Sequence, residues 1–306
     1  MFPDKLPILV SIFNQINSLN LLVRNPLYLY LLLIGSISSC SLLPPEEASF
    51  GYLEIPNVSL QTTPSAGYPS HAIKDIWVYA DGEDLGVYTV PATIPVLSAG
   101  EPKRFQVRGG VKVNGNNATS REYPFYNEVI LNEVVGEDQN ISRNINFTYK
   151  PEAVFDLVED FESGNQFDSE IDGDAQTFVQ RVTGESPYGN HCGYIHLSGD
   201  NDAIEVSHSA SFPNSNNKQG AVFLEFDYKC DEKIFVGTIL EEGGLLVKDY
   251  KILVTETDTW KKFYLDLTEE ISKSSVIKYK VVFSSTLISG GTEANIYLDN
   301  IKLIHF

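Results

Sequence analysis

The residues in this sequence that could do chemistry are rings and carboxylates more than nucleophiles or metal ligands. Forty-one Asp and Glu stand against 22 Lys and Arg, giving a formal charge of -19. Such a surface repels a phosphate backbone and argues against nucleic acid as a partner. Tyr188, in a Pro-Tyr-Gly turn, is the ring best placed to stack on the C–H face of a sugar. Trp260 is a second candidate, although Phe263 and Leu265 behind it read as buried and pull it toward core packing. Glycoside hydrolysis needs two carboxylates at a set separation, and so acidic a chain offers chance pairs without a motif to single one out. There is no Gly-x-Ser-x-Gly elbow, His-Glu-x-x-His helix or Gly-rich phosphate loop. His191 and Cys192 are adjacent on a strand-like run, so they point to opposite faces and make no dyad. The acidic runs Asp168 to Asp174 and Ser198 to Asp202 do not follow the spacing of a calcium loop. These residues read as a binding protein without catalytic machinery.

Long before these residues comes Leu27 to Ile34, an apolar run preceded by Arg24 and followed by Gly35 and Ser36. It is shorter than the roughly 20 residues that span a bilayer and reads as a signal-peptide core. The run ends in Ile37-Ser38-Ser39-Cys40, which resembles the bacterial lipobox. That resemblance implies cleavage before Cys40, a signal peptide over 1–39, and a thioether-linked lipid on the Cys40 sulfur. Residues 1–26 are a long lead for such a signal, and translation is expected to begin near Leu22 or Val23. Residues 40–48 read as a tether, because Pro44 and Pro45 stay extended and Glu46 and Glu47 stay wet. An exported chain meets an oxidising compartment, where Cys192 and Cys230 either form a disulfide or stay as two separately buried thiols. Asn57, Asn117, Asn140 and Asn146 lie in Asn-x-Ser/Thr sequons that a bacterium normally leaves unread.

The elements that must position these residues are strands. β-branched and aromatic clusters alternate with Gly, Asn, Asp and Pro over Ile73 to Ala80, Leu85 to Val90, Arg104 to Val113, Tyr123 to Val135 and Ile145 to Tyr149. No segment carries a sustained helical stripe, so the fold class is all-β. Asp81-Gly82 and Asn114-Gly115 tolerate the positive φ of tight turns and predict two antiparallel pairs.

The stretch Ile76 to Gly86, with Pro91, Pro95-Val96-Leu97 and Gly100, resembles a PEGA-type β-sandwich. That implies an Ig-like module over 49–150. A second pattern starts at Val154 with Asp160-Phe161-Glu162-Ser163-Gly164. It continues through Tyr188 to Leu197, Phe223 to Tyr228 and Trp260 to Leu267, and closes on Asn295 to Leu303. This series resembles the carbohydrate-binding, galactose-binding-like jelly roll and implies such a domain over 154–306, its first and last strands side by side. Jelly rolls of this kind often hold a structural calcium there, and Glu162 and Asp299 match the family's acidic positions. Otherwise the two are edge carboxylates capping a turn. Together the resemblances imply a non-enzymatic lipoprotein of the outer membrane, similar to those of Bacteroidota. It would be held to the membrane by its lipid and act in binding or scaffolding, as an accessory subunit with an envelope protein partner. The alternative is a glycan-binding lipoprotein of a polysaccharide-uptake system.

Overall fold

A computed structural model describes residues 49–306 apart from 98–99, 117, 215–219 and 289–290. The signal peptide, Cys40, the tether and the Asn117 sequon lie outside the described residues.

Ten strands form the amino-terminal part: β1 (Phe50–Ile55), β2 (Val58–Gln61), β3 (Asp75–Ala80), β4 (Glu83–Thr89), β5 (Ala92–Leu97), β6 (Pro102–Lys112), β7 (Ser120–Glu122), β8 (Val129–Val134), β9 (Asn140–Ser142) and β10 (Ile145–Thr148). β4, β3 and β6 form one sheet, with β7 and β8 both pairing β6, while β5, β1 and β9 form a smaller sheet and β2 pairs β10 in parallel. Asp81 and Gly82 take φ of 51° and 86° in the β3–β4 turn, the left-handed pair such a hairpin needs. Asn114 and Gly115 are also left-handed, but in a longer loop between the antiparallel β6 and β7. One expected strand is corrected. Tyr123 to Val135 is not continuous: β8 starts at Val129, and Tyr123 to Tyr126 turn inward as a buried aromatic cluster. Pro124 in its middle has no N–H to give a ladder, which is why pairing breaks there.

Twelve strands follow: β11 (Val154–Glu159), β12 (Ser169–Glu170), β13 (Gln180–Thr183), β14 (His191–Ser198), β15 (Ala203–Ser207), β16 (Phe212–Pro213), β17 (Val222–Cys230), β18 (Ile234–Glu242), β19 (Leu245–Val254), β20 (Thr257–Asp266), β21 (Val276–Thr286) and β22 (Glu293–His305), with one short helix, α1 (Thr268–Ile271). They build two six-stranded antiparallel sheets. One runs β13-β14-β22-β17-β20 with β11 also on β22; the other runs β12-β15-β21-β18-β19 with β16 on β21. The protein is thus all-β, and its second half is a two-sheet sandwich whose first strand, β11, pairs its last, β22. Between the sheets lie Leu224, Phe226, Val236, Val281, Phe283, Ile296 and Leu298, all buried. Each such side chain contributes about 1.5 to 3 kcal/mol by leaving water. The other core, inside the amino-terminal strands, takes in Phe223, Tyr264 and Ile304 from the sandwich.

Candidate functional site

The sheet containing β17, β20 and β22 has one face in the sandwich core and one face outside it. On β17, Leu224, Phe226, Tyr228 and Cys230 point into the core, so Phe223, Glu225, Asp227 and Lys229 point out. The same alternation puts Tyr194 and His196 of β14, Asn295 and Tyr297 of β22, and Trp260, Lys262 and Tyr264 of β20 on the outer face. The amino-terminal strands cover one half of it and leave the other half open.

The covered half is a sealed polar network. Tyr123 donates its hydroxyl to Glu225 Oε1 at 2.6 Å and Tyr149 donates to Oε2 at 3.0 Å. Lys262 Nζ lies 3.3 Å from Glu225 Oε2 and 3.9 Å from Asp227 Oδ1, with 2% or less of the Lys262 and Glu225 side chains exposed. Ser70 and Asn300 donate to the two oxygens of Asp227 at 2.6 and 2.8 Å. Lys302, fully buried, donates to Tyr68 O at 2.8 Å and sits over the Tyr149 ring. Burial first, then nearby Lys262, lowers the Lys302 ammonium to about 7.

On the open half the rings form a connected surface. Tyr194 and Tyr297 lie 5.0 Å apart between centroids, tilted by 34°. Trp260 meets the edge of Tyr297 at 6.3 Å. Lys229 Nζ sits 4.3 Å from the centre of the Tyr297 ring and pairs with Glu185 at 2.8 Å. The Trp260 indole N–H donates to Glu185 O at 2.9 Å, which fixes the ring plane. Asn295 Oδ1 accepts from the Tyr194 hydroxyl at 2.7 Å while its amide donates to Asp231 at 3.0 Å. A cavity of about 870 Å³ opens beside these rings, lined by Lys229, Asp231, Glu256, Asp258, Asn295 and Tyr297 among others.

Tyr188 and Trp260 meet between the two halves. They share a cavity of about 180 Å³ with Ser70, His71, Asp227 and Lys262. Tyr188 stacks on Tyr68 at 6.2 Å and is 36% exposed, whereas Trp260 is half-buried and belongs to neither core. Core packing, the pull expected on Trp260 from Phe263 and Leu265, is therefore corrected: alternation sends Leu265 inward and Trp260 outward. Sequence reasoning singled out neither Tyr297 nor Asn295 as a site residue. The sequence carries the alternation of polar and apolar residues in Asn295 to Leu298, but only the fold sets this run beside β14 with Tyr194 and His196.

Two pairs of residues are left open by the sequence. Cys192 and Cys230 are both free and buried, and burial pushes each thiol up to about 12. No bridge forms because β22 lies between β14 and β17, two interstrand spacings of about 4.8 Å, and a disulfide needs Cα atoms within about 7 Å. Glu162 Oε1 accepts the backbone N–H groups of Asn190 at 2.6 Å and His191 at 2.9 Å, and its other oxygen lies 3.1 Å from His191 Nδ1. Burial raises the Glu162 carboxyl, but these contacts outweigh it and hold the group below its usual value. Asp299 is fully buried, accepts from Ser186 Oγ at 2.5 Å and Asn300 N at 2.7 Å, and is raised by burial to about 8. Among the described residues there is no group of three or more acidic, His or Cys side chains that could hold a metal ion, and both carboxylates take hydrogen bonds from the turns beside them.

No family model matches this chain, and no curated protein matches it. Among solved structures, the C-terminal family 22 carbohydrate-binding module from Clostridium thermocellum is 11% identical, covers 49% of this chain and 94% of its own, and has a TM-score of 0.36. A variant of a family 29 carbohydrate-binding module is 19% identical over 50% of this chain and 85% of its own, with a TM-score of 0.31. The enzymatically active domain of tailspike protein 4 from bacteriophage CBA120 is 14% identical, with a TM-score of 0.33, and the match spans 42% of this chain and 18% of that one.

Proposed function

We propose that the protein is a non-enzymatic glycan-binding module whose site is the open half of the outer sheet face. The observation that carries this reading is the connected surface of Tyr194, Tyr297 and Trp260, flanked by hydrogen-bonding side chains on neighbouring strands. Sugars present C–H faces that pack on rings and hydroxyls that need polar partners. Lys229, Asp231 and Asn295 supply donors and acceptors within the same 870 Å³ cavity. Rigid strands hold the rings, so little side-chain freedom is lost on binding. Retention on a panel of insoluble and soluble polysaccharides tests the proposal. Wild-type protein is expected to be retarded by at least one of them and Tyr297→Ala to lose that retardation while keeping its melting temperature; uniform failure to bind refutes it.

The location proposed with this function is the outer membrane, through a lipid on Cys40. Metabolic labelling with a clickable fatty acid, lost in Cys40→Ala, is the expected result. A second reading, contact with an envelope protein, rests on the β18–β19 hairpin, where Leu245 and Leu246 are 69% and 74% exposed beside Gly243 and Gly244. Its test is co-purification of a membrane partner that is lost in Leu245→Ser/Leu246→Ser.

A further inference from the structure

The groove along the free edge of β20 differs in charge from the rest of the molecule. β20 is the last strand of its sheet, and its far edge faces a cavity of about 810 Å³ between the end of β19 and the loops around His71 and Asn114. Four lysines and one histidine line that cavity, and no carboxylate does. In a chain with 41 acidic and 22 basic side chains such a lining runs against the overall charge. Two of the lysines are already engaged: Lys262 is buried with Glu225 and Asp227, and Lys112 lies 3.5 Å from Asp75. Lys74 and Lys261 are exposed and form no ion pair among the described residues.

The backbone of the strand is partly available too. The Asn114 N–H donates to Tyr264 O at 2.9 Å, and its side-chain oxygen accepts from Asp266 N at 2.8 Å, which closes the lower part of the edge. Lys262, two residues from Tyr264 in the regular part of the ladder, presents its backbone groups on that same edge by the two-residue period of the strand. Trp260 borders this groove and the small cavity it shares with Tyr188, and Lys261 borders the groove and the larger ring-lined cavity. The ring-lined cavity carries Asp231, Glu256 and Asp258, so the local charge changes sign across Trp260 and Lys261.

We propose that the groove beside β20 binds the carboxylate-bearing units of a uronate-containing polysaccharide whose neutral units lie on the Tyr297 and Trp260 rings. This rests on the glycan reading above and narrows it to an acidic glycan. Lys74 and Lys261 meet the uronate carboxylates, and the free backbone groups of β20 meet hydroxyls. At an ionic strength of 0.15 M the screening length is about 8 Å, so the negative charges remote from the groove contribute little to the field a carboxylate feels there.

Affinity electrophoresis and calorimetry with polygalacturonate, alginate and glucuronoxylan, each beside its methyl-esterified form, test this. At least one acid form is expected to bind about tenfold more tightly than its ester, a difference of about 1.4 kcal/mol. The preference is expected to fall below twofold in Lys74→Gln/Lys261→Gln and in 1 M NaCl, with the melting temperature of the double variant unchanged. Equal binding of acid and ester forms overturns the inference, as does a preference that survives the double substitution. Binding of poly-glutamate as tightly as any polysaccharide overturns it in favour of an acidic peptide adding to the β20 edge. Retention on neutral polysaccharides alone sinks this inference and leaves the parent reading standing; retention on none sinks the parent.

Discussion

One sheet face of this protein has two halves that share β17, β20 and β22, the open half adding β14, and they have opposite fates. Around Glu225, Lys262 and Lys302 the face is covered by the amino-terminal strands, and each ionic group there is matched by a hydroxyl, an amide or an opposite charge. Around Tyr297, Tyr194 and Trp260 it is open, and the polar groups at its rim face solvent with hydrogen-bonding capacity to spare. Composition alone does not separate the halves, since both mix aromatic rings with lysine and acid. What separates them is cover. Under cover a charge must be paired, because an unpaired ion out of water costs several kcal/mol; in the open the same chemistry is free to meet a ligand.

The sharpest way to break this comparison is to unpair the covered half. Lys262→Met leaves Glu225 and Asp227 without their ammonium group, and chemical denaturation is expected to show a loss of about 3 to 5 kcal/mol. A loss below about 1 kcal/mol would mean that this half is wetter than described. Next in size is Tyr123→Phe, which deletes one hydroxyl from Glu225 and is expected to cost about 1 to 3 kcal/mol. On the open half, Tyr297→Ala and Trp260→Ala are expected to change stability by about 1 kcal/mol or less, as at partly exposed positions generally. Glycan affinity should nevertheless fall by tenfold or more, because large rings at the centre of a contact carry most of its energy.

Titration separates the halves further, with smaller effects. Asp299 is raised to about 8, so its folded form holds a proton that the unfolded chain has released. Its contribution is full below the unfolded value of about 3.9 and is lost as pH rises through 8. Lys302 is lowered to about 7, so its contribution is full above about 10.4 and is lost as pH falls through 7. Asp299→Asn should flatten the decline in stability between pH 4 and 8, and Lys302→Met the rise above pH 7, each measured by urea midpoints across pH. The smallest expected effect comes from reductant: with Cys192 and Cys230 both free, dithiothreitol should leave the melting temperature unchanged.

Much of this architecture was legible in the sequence because strand alternation is local. The left-handed pair at Asp81-Gly82 requires only that a two-residue turn have residues tolerating positive φ, and both do. Tyr188 and Trp260 could be singled out as rings, but their meeting in one cavity depends on the β20 edge lying beside the Tyr188 turn, 72 residues earlier in the chain. Tyr297 escaped notice because the run Asn295 to Leu303 reads as a last strand, and nothing local says which of its faces stays uncovered. The choice between a disulfide and two buried thiols stayed open for a similar reason, since cysteine spacing does not reveal that β22 would come between the two strands.

By itself the sequence determined the all-β class, the alternation that gives each strand an inner and an outer face, and the acidic balance that opposes nucleic acid. Those properties depend on residue type and on neighbours one or two positions away. Only the tertiary structure decided which outer residues would be buried as a paired network and which would stand open as a platform. That depends on where the amino-terminal strands come to rest on the sheet, and such contacts between residues far apart in the chain are fixed by the packing of whole surfaces.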